Sequence, residues 1–208
     1  MISHTVLLAT SNPGKIRDFA GAAAAHDVVI ATLPNFSSLD PVIEDGATFE
    51  ENARKKAEGY SIAAPGELVV ADDSGLEIDA LGGAPGVYSA RYAAGDADVA
   101  PGNACDRANN ARVLSELAGV APEKRTARFV CVLAAARDGR TLRTFRGTVE
   151  GFILESPRGQ NGFGYDPLFH IPKIGKTLAE ITAEAKAQFS HRGEAFRNFL
   201  HWYRQTSP

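Results

Sequence analysis

The chain has 208 residues, a formal net charge of −3 and no run of basic residues, so it lacks the charge needed to follow a nucleic-acid backbone. Hydrophobic residues make up 44% and charged residues 23%, a composition that excludes disordered and membrane classes. The apolar run at residues 6–9 is too short for a signal peptide or a membrane span. Cys105 and Cys131 lack zinc-binding or CxxC spacing, so both are expected to be reduced. We therefore predict a cytoplasmic enzyme with no membrane partner, folded as a single domain over residues 1–208.

The first part of the chain predicts a strand, a loop and two helices. Residues 5–9 are typical of a strand, residues 10–14 of a loop, and the alanine-rich residues 15–25 of a helix. A Thr-x-x-Glu capping box then starts a second helix, which is expected over residues 48–63.

The second helix carries a lysine on its apolar side. Lys56 follows Phe49 by seven residues, about 20° around the helix, so its side chain projects with the core face. Asn52, one turn earlier, borders the same edge. A lysine stem could cover apolar surface there while its ammonium reaches water. The alternative is a lysine with a functional role.

Two adjacent carboxylates follow an apolar run. Residues 68–73 are predicted as a buried strand that delivers Asp72 and Asp73 to its rim, and residues 75–79 form a separate alternating segment. A single aspartate here would be read as an Asx-turn or a helix cap. Because successive strand residues face opposite sides, only one of the two should reach a metal ion. Mg²⁺ is the usual partner of such oxygens beside phosphates, and it needs only one or two carboxylates.

The second half of the chain predicts a helix, a hairpin and a final helix. The helix begins at residue 101 or 103 and ends at 117. Residues 127–137 are apolar at both parities, as expected of a strand at the centre of a sheet. Asp138-Gly139 is a two-residue hairpin signal into a strand over residues 140–149. Residues 193–204 have one apolar face, typical of a docked helix, and the mixture of strands and helices predicts an α/β fold.

Residues 10–15 join the first strand to the first helix with hydroxyl, amide and ammonium groups. Backbone N–H groups at a helix N-terminus with such donors can bind phosphate. The alternative is a simple capped turn, because Ser, Asn, Pro and Gly are ordinary turn residues. The segment lacks a Walker A pattern.

Two further polar clusters have both a structural and a functional interpretation. In residues 161–167 an aromatic residue lies between glycines, where its ring could stack on a flat ligand or form a surface turn. In residues 190–192 Ser190 could cap the last helix and His191 could begin it. Neither Ser190 nor Ser74 lies in a GxSxG elbow, which argues against a serine hydrolase.

Taken in order, these clusters resemble the inosine triphosphate pyrophosphatase family, whose members hydrolyse deaminated purine nucleoside triphosphates. The resemblance spans nearly the whole chain and is carried by LLATSNPGK, FEENARKKA, VVADDSGLEIDALGGAPGVYSARYA, NGFGYDPLF, GKTLAEIT and SHRGEAF. It implies an elongated mixed sheet with helices on both faces, two lobes flanking a cleft, a homodimer, and Mg²⁺-dependent release of pyrophosphate from a nucleoside triphosphate.

The resemblance also implies roles for individual residues. Glu44 and Asp73 correspond to the metal ligands, and Asp73 also to the general base. The expected substrate contacts are Thr10, Ser11, Asn12, Pro13, Gly14, Lys15, Lys56, Ser74, Phe163, Gly164, Tyr165, Asp166, Lys186, His191 and Arg192.

Two other functions are weighed beside this one. A related pyrophosphatase could prefer pyrimidine or modified nucleotides on a similar fold. A nucleotide sensor would bind the triphosphate without cleaving it, although candidates for both the metal ligands and the base are present.

Overall fold

The computed structural model describes residues 4–24, 26, 28–94 and 103–206. Two predicted helix boundaries lie outside these described residues: residue 25, as the end of the first helix, and residue 101, as one of two possible starts of the helix that ends at 117.

The described strands form one mixed sheet. They are β1 His4–Leu8, β2 Val28–Thr32, β3 Val69–Ile78, β4 Thr126–Arg137, β5 Arg140–Ile153, β6 Phe169–Ile171 and β7 Lys176–Thr177. Their order across the sheet is β2-β1-β3-β4-β5-β6-β7. β1 is parallel to β2 and to β3, whereas each successive pair from β3 to β7 is antiparallel. The α/β prediction with a mixed sheet is confirmed, and β4 is its central strand.

Helices cover both faces of the sheet. They are α1 Pro13–Ala23, α2 Phe49–Ser61, α3 Asn103–Glu116, α4 Ala183–Phe189 and α5 His191–Thr206. Side chains of α1 and α5 pack with Val70 and Leu133 on one face. Side chains of α2 pack with Val69 and Val132 on the other face. Both parities of β4 are therefore buried, as its sequence predicts.

Several local signals are confirmed. Thr48 and Glu51 form the reciprocal capping box that starts α2. Asp138 and Gly139 have φ values of 51° and 76°, which is the left-handed geometry of a tight hairpin between β4 and β5. Cys105 and Cys131 are buried free thiols.

The prediction for β3 is wrong in its extent. The two predicted segments merge into one ten-residue strand, Val69–Ile78, so the two aspartates lie within it and not at its rim. β1 pairs only as far as Val70, which leaves Asp72 and Asp73 beside the segment that follows β1. Gly75 permits the continuous strand to approach its neighbours, because a Cβ there would lie 2.3 Å from Ser89 Oγ.

Other differences arise at the ends of elements. α1 begins at Pro13 because the Asn12 side chain caps it. α5 begins at His191, two residues earlier than predicted, and β5 continues to Ile153. The strand β2 and the short helix α4 are not predicted from the sequence.

A third buried cluster lies at the far end of β3 and β4. It includes Leu76, Val113, Phe129, Tyr165 and Leu168, so α3 and the segment before β6 belong to it. The cavity described below is lined by side chains from this end of the sheet and from the α1 and α2 end. None of the helices described in the structure has the length and apolar character needed to cross a membrane.

Candidate active site

Asp72 and Asp73 project to opposite faces of β3. Along this strand the parity of Val70 places Asp72 on the α1 and α5 face. The parity of Val69 and Ala71 places Asp73 on the α2 face. Each carboxylate is therefore surrounded by a different set of cations.

On the α2 face, Asp73 and Glu44 both contact Lys56. Lys56 Nζ lies 3.0 Å from Asp73 Oδ1 and 2.5 Å from Glu44 Oε2. Lys56 is 8% exposed, so its ammonium is held by carboxylates and does not reach out to water. The interpretation in which the Lys56 stem covers apolar surface while its ammonium reaches water is therefore wrong.

The charges on this face oppose the effect of burial. Burial lowers the pKa of the Lys56 ammonium, but the carboxylates of Asp73 and Glu44 outweigh it, and the pKa lies above its ordinary value. Burial raises the pKa of Asp73, the charges of Lys56 and Lys15 lower it, and Glu44 raises it again. The net shift of the Asp73 pKa is upward, in the direction expected of a carboxylate that accepts a proton during catalysis.

On the α1 and α5 face, Asp72 joins three polar side chains. Lys15 Nζ lies 3.0 Å from Asp72 Oδ2, and Ser74 Oγ donates to the same oxygen at 2.9 Å. Arg192 Nη2 donates to Ser74 Oγ at 2.7 Å. Burial raises the pKa of Asp72, but Lys15 and Arg192 outweigh it and the pKa is lowered. Asp72 thus remains a buried anion that fixes two cations.

The residues on the α2 face fit a divalent metal ion. The carboxylates of Glu44 and Asp73 come from separate segments and both contact the Lys56 ammonium. Mg²⁺ is typically bound by one or two carboxylates together with substrate phosphates. Within the described residues, His, Cys, Asp and Glu side chains do not form a group of three that could hold a metal by themselves. Glu44 and Asp73 are therefore the candidate metal ligands, with phosphate or water needed to complete the set.

The α1 N-terminus is a capped turn in this structure. Asn12 Oδ1 accepts hydrogen bonds from Gly14 N at 2.9 Å and Lys15 N at 3.2 Å. Thr10 Oγ1 accepts from Asn12 N, and Ser11 is exposed. The interpretation of this segment as a capped turn is therefore correct for the backbone N–H groups of Gly14 and Lys15. The side chain of Lys15 lines the cavity, where its ammonium can donate to a ligand.

Phe163 lies against the start of α1. A Cβ added to Gly14 would lie 2.5 Å from its ring, so glycine is needed for this contact. Lys186 Nζ and the Arg192 guanidinium lie 4.9 Å and 5.0 Å from the ring centroid. The Phe163 backbone N–H donates to Asp166 Oδ2 at 2.9 Å. The aromatic ring is therefore a fixed platform beside two cations.

Asp18 is a residue of this region that the sequence interpretation missed. Its Oδ2 lies 3.2 Å from Lys186 Nζ and 3.1 Å from Arg192 Nη1. Lys186 also pairs with Asp166 at 2.7 Å. Asp18 follows Lys15 by three residues on α1, so helical spacing could have placed both on one face.

His191 lies buried in the cavity wall. Its ring stacks on Phe129 with centroids 4.8 Å apart, and neither ring nitrogen has a hydrogen-bond partner among the residues that the structure describes. Burial lowers the pKa of His191 well below its ordinary value, and the charges of Arg192 and Lys186 lower it further. A neutral imidazole offers one donor and one acceptor, and both ring nitrogens of His191 are buried. Ser190 Oγ accepts from Gly193 N, so the residue beside His191 is indeed the α5 cap.

One cavity gathers most of the predicted site residues. The predicted residues in its wall are Asn12, Lys15, Glu44, Lys56, Asp73, Ser74, Phe163, Gly164, Tyr165, Asp166, His191 and Arg192. Thr10, Ser11, Pro13, Gly14 and Lys186 are not part of the wall, although Gly14 and Lys186 contact Phe163. Ser89, Arg91 and Asp106 also line the cavity, although the sequence patterns do not predict them.

The chain is similar to known proteins over almost its entire length. A family model described as the Ham1 family matches residues 6–202. The dITP/XTP pyrophosphatase of Acidobacterium capsulatum is 50% identical over 198 residues, covering 94% of this chain and 96% of that protein. The protein of the same name from Thermus thermophilus is 48% identical over 203 residues, covering 98% and 93%. The solved structure of the Staphylococcus aureus Ham1 protein has a TM-score of 0.80 at 39% identity and covers 98% of this chain and 100% of that chain.

Proposed function

The chain belongs to the Ham1 family, and we propose that it is a nucleoside triphosphate pyrophosphatase acting on deaminated purine nucleotides such as dITP, ITP and XTP. The resemblance indicated by the sequence motifs is confirmed by the family match. One observation carries the activity: Glu44 and Asp73 converge on Lys56 in a cavity that Lys15 also lines.

The cavity suits a triphosphate because its cations lie on both sides of β3. Lys15 and Lys56 can neutralise charge on the phosphates as the bond to pyrophosphate breaks. Lys186 does not line the cavity, because its ammonium lies against the Phe163 ring and is paired with Asp166. A shift of the Phe163 loop would let Lys186 contribute a third ammonium. Asp72 supports this set indirectly by fixing Lys15 and, through Ser74, Arg192.

Asp73 is the proposed general base. Water attacks the α-phosphorus, its oxygen forms the new bond, and the bond from phosphorus to the bridging oxygen breaks so that pyrophosphate leaves. The proton of the water passes to Asp73. Mg²⁺ held by Glu44 and Asp73 would supply Lewis-acid stabilisation of the phosphate oxygens. Asp72 faces the other side of β3, so it is not placed to share the attacking water with Asp73.

The part of the cavity lined by Phe163, His191 and Arg192, where we place the nucleotide's base, favours a purine with an oxygen at C6. Hypoxanthine and xanthine present an acceptor there, whereas adenine presents an amino donor. The unpartnered donor of neutral His191 and the neighbouring Arg192 can pair with that oxygen, and Phe163 offers a surface for stacking. Adenine would leave buried donors facing its own amino group, a mismatch that can cost several orders of magnitude in rate.

Two further properties are proposed from family membership and the site. Mg²⁺ is the proposed cofactor because Glu44 and Asp73 supply hard oxygen ligands. A homodimer is the proposed assembly, as the motif resemblance implies.

Steady-state hydrolysis tests the proposal. Purified protein with Mg²⁺ should release pyrophosphate from dITP and XTP with kcat/KM at least about 100-fold above that for dATP. The nucleotides dTTP and UTP serve as pyrimidine controls. Preference for the pyrimidines would replace the proposed substrate class, and binding of dITP without pyrophosphate release would indicate a sensor.

A further inference from the structure

We propose that Asn52 is a positioning residue, which holds the Asp73 carboxylate and the segment carrying Glu44 in one fixed arrangement. This inference rests on the proposed function of the cavity and assigns a task to a buried residue of α2 outside the cavity wall.

The orientation of the Asn52 amide is fixed by its neighbours. Asn52 is 2% exposed, and its Oδ1 accepts from Gly46 N at 2.8 Å. Its Nδ2 donates to Asp73 Oδ2 at 3.3 Å. A backbone N–H can only donate and a carboxylate only accept, so a flipped amide would oppose donor to donor and acceptor to acceptor.

The Asp73 carboxylate is consequently held by two donors from α2. Asn52 and Lys56 are four residues apart, so they lie one above the other on the same helix face. The amide binds Oδ2, and the ammonium binds Oδ1. This division fixes the rotation of the carboxylate and leaves Oδ1 on the side of Lys56 and Glu44, where the metal ligands converge.

The second contact of Asn52 reaches the segment that carries Glu44. Gly46 follows Glu44 by two residues, and a Cβ on Gly46 would lie 2.7 Å from Asn52 Oδ1. Only glycine permits this close approach without displacing the amide. One side chain therefore ties together the two parts of the chain that provide Glu44 and Asp73.

The segment also contacts α2 through the Lys56 ammonium, which binds both Glu44 and Asp73, and through two exposed contacts. Lys55 pairs with Asp45 at the surface, and Glu51 accepts from the backbone of Ala47 in the capping region. Neither Lys55 nor Glu51 contacts Asp73. Surface pairs contribute little to fixing geometry, so the coupling rests on two buried side chains, the Lys56 ammonium and the Asn52 amide. Lys56 lines the cavity, whereas Asn52 lies outside its wall and acts only through these contacts.

Asn52→Ala and Gly46→Ala test the inference in two readouts. The first is the Kd for Mn²⁺ without nucleotide, followed by electron paramagnetic resonance. The second is kcat and KM for dITP. Each variant should weaken Mn²⁺ binding and lower kcat/KM by about 10- to 100-fold, as expected when a partner of a metal ligand is removed. Circular dichroism and thermal melting confirm that the measured protein is folded.

The double variant and Asn52→Asp separate positioning from folding. A Cβ on Gly46 would lie 2.7 Å from Asn52 Oδ1 and also 2.7 Å from Glu51 Cβ. If Gly46 acts partly through the Asn52 amide, Gly46→Ala should have a smaller effect in the Asn52→Ala background than in wild type, giving a non-additive cycle. Asn52→Asp retains the acceptor for Gly46 N but cannot donate to Asp73, so its kcat should fall at least as far as that of Asn52→Ala.

Lys55→Ala is the matched control, because it removes the exposed contact of the same segment, and it should behave as wild type. Folded Asn52→Ala with wild-type Mn²⁺ affinity and kcat/KM would overturn the inference, as would a fully active Asn52→Asp. Failure of the wild-type protein to hydrolyse dITP would instead overturn the proposed function.

Discussion

At Asp73, burial raises the pKa of the carboxyl while the Lys56 ammonium, 3.0 Å away, lowers it. The result is an anion that can bind a cation yet has an elevated affinity for a proton. Asp72, the adjacent residue, has its pKa lowered by Lys15 and Arg192 despite complete burial. The two side chains therefore differ in role because they face different charges.

Asp73→Asn should nearly abolish turnover and leave the fold intact. The amide is similar in size but can neither accept the proton of the attacking water nor bind a metal as an anion, so kcat for dITP should fall about 100- to 10,000-fold. Pyrophosphate release measures the loss, and circular dichroism checks the fold. Near-normal turnover by this variant would remove Asp73 from the mechanism.

Asp72→Asn should mainly reduce stability. Removing the charge leaves Lys15 without its buried anion, whereas Arg192 keeps its contact with Asp18. The loss is expected to cost about 3–5 kcal/mol in the free energy of unfolding at neutral pH. Urea denaturation of wild type and variant gives the difference.

The same comparison has a defined pH dependence. Because the pKa of Asp72 is lower in the folded than in the unfolded chain, its stabilisation is present above the unfolded value of about 3.9 and is lost as the pH falls through the folded value. The difference between wild type and Asp72→Asn should therefore shrink in strong acid. A difference that stays constant with pH would show that the Asp72 charge is not its source.

At the scale of elements, the start of α1 sets the position of Phe163. The ring occupies the space that a side chain on Gly14 would need. Gly21, on the same helix, has open surroundings, because a Cβ there would lie 3.8 Å from its nearest neighbour. The two glycines thus form a matched pair.

Gly14→Ala should displace the Phe163 loop and lower kcat/KM for dITP between about 10- and 100-fold, since a shift of about 1 Å can have the larger effect. Gly21→Ala should keep wild-type kinetics and gain up to about 1 kcal/mol of stability from helix propensity. Equal kinetics for the two variants would mean that the contact between α1 and Phe163 does not position the substrate.

Helical and strand periodicity account for the parts of the site that could be predicted. The 20° offset between Phe49 and Lys56 placed the lysine correctly, and alternation along β3 separated Asp72 from Asp73. Periodicity did not reveal β2, which has five residues like β1 but is only partly buried, or α4, which is only seven residues long. The continuous β3 was divided at Gly75, since the close packing that requires this glycine comes from the distant Ser89.

At the scale of the whole molecule, the cavity joins segments that are far apart in sequence. Asp18 is within reach of Lys186 and Arg192 only because α1 packs against α4 and α5. Asp106 reaches the Gly164 N–H from α3 at 2.8 Å. Helical spacing can place Asp18 on the same face as Lys15, but its contacts with α4 and α5, and the contact of Asp106 with Gly164, join distant segments and follow only from the folded chain.

The proposal requires that water attack the α-phosphorus, and hydrolysis of dITP in H₂¹⁸O with Mg²⁺ measures this directly. Mass spectrometry of the products should find ¹⁸O in the nucleoside monophosphate and none in the released pyrophosphate. Label in pyrophosphate, or the appearance of nucleoside diphosphate and orthophosphate, would contradict the arrangement of Glu44, Lys56 and Asp73 as a site for pyrophosphate release.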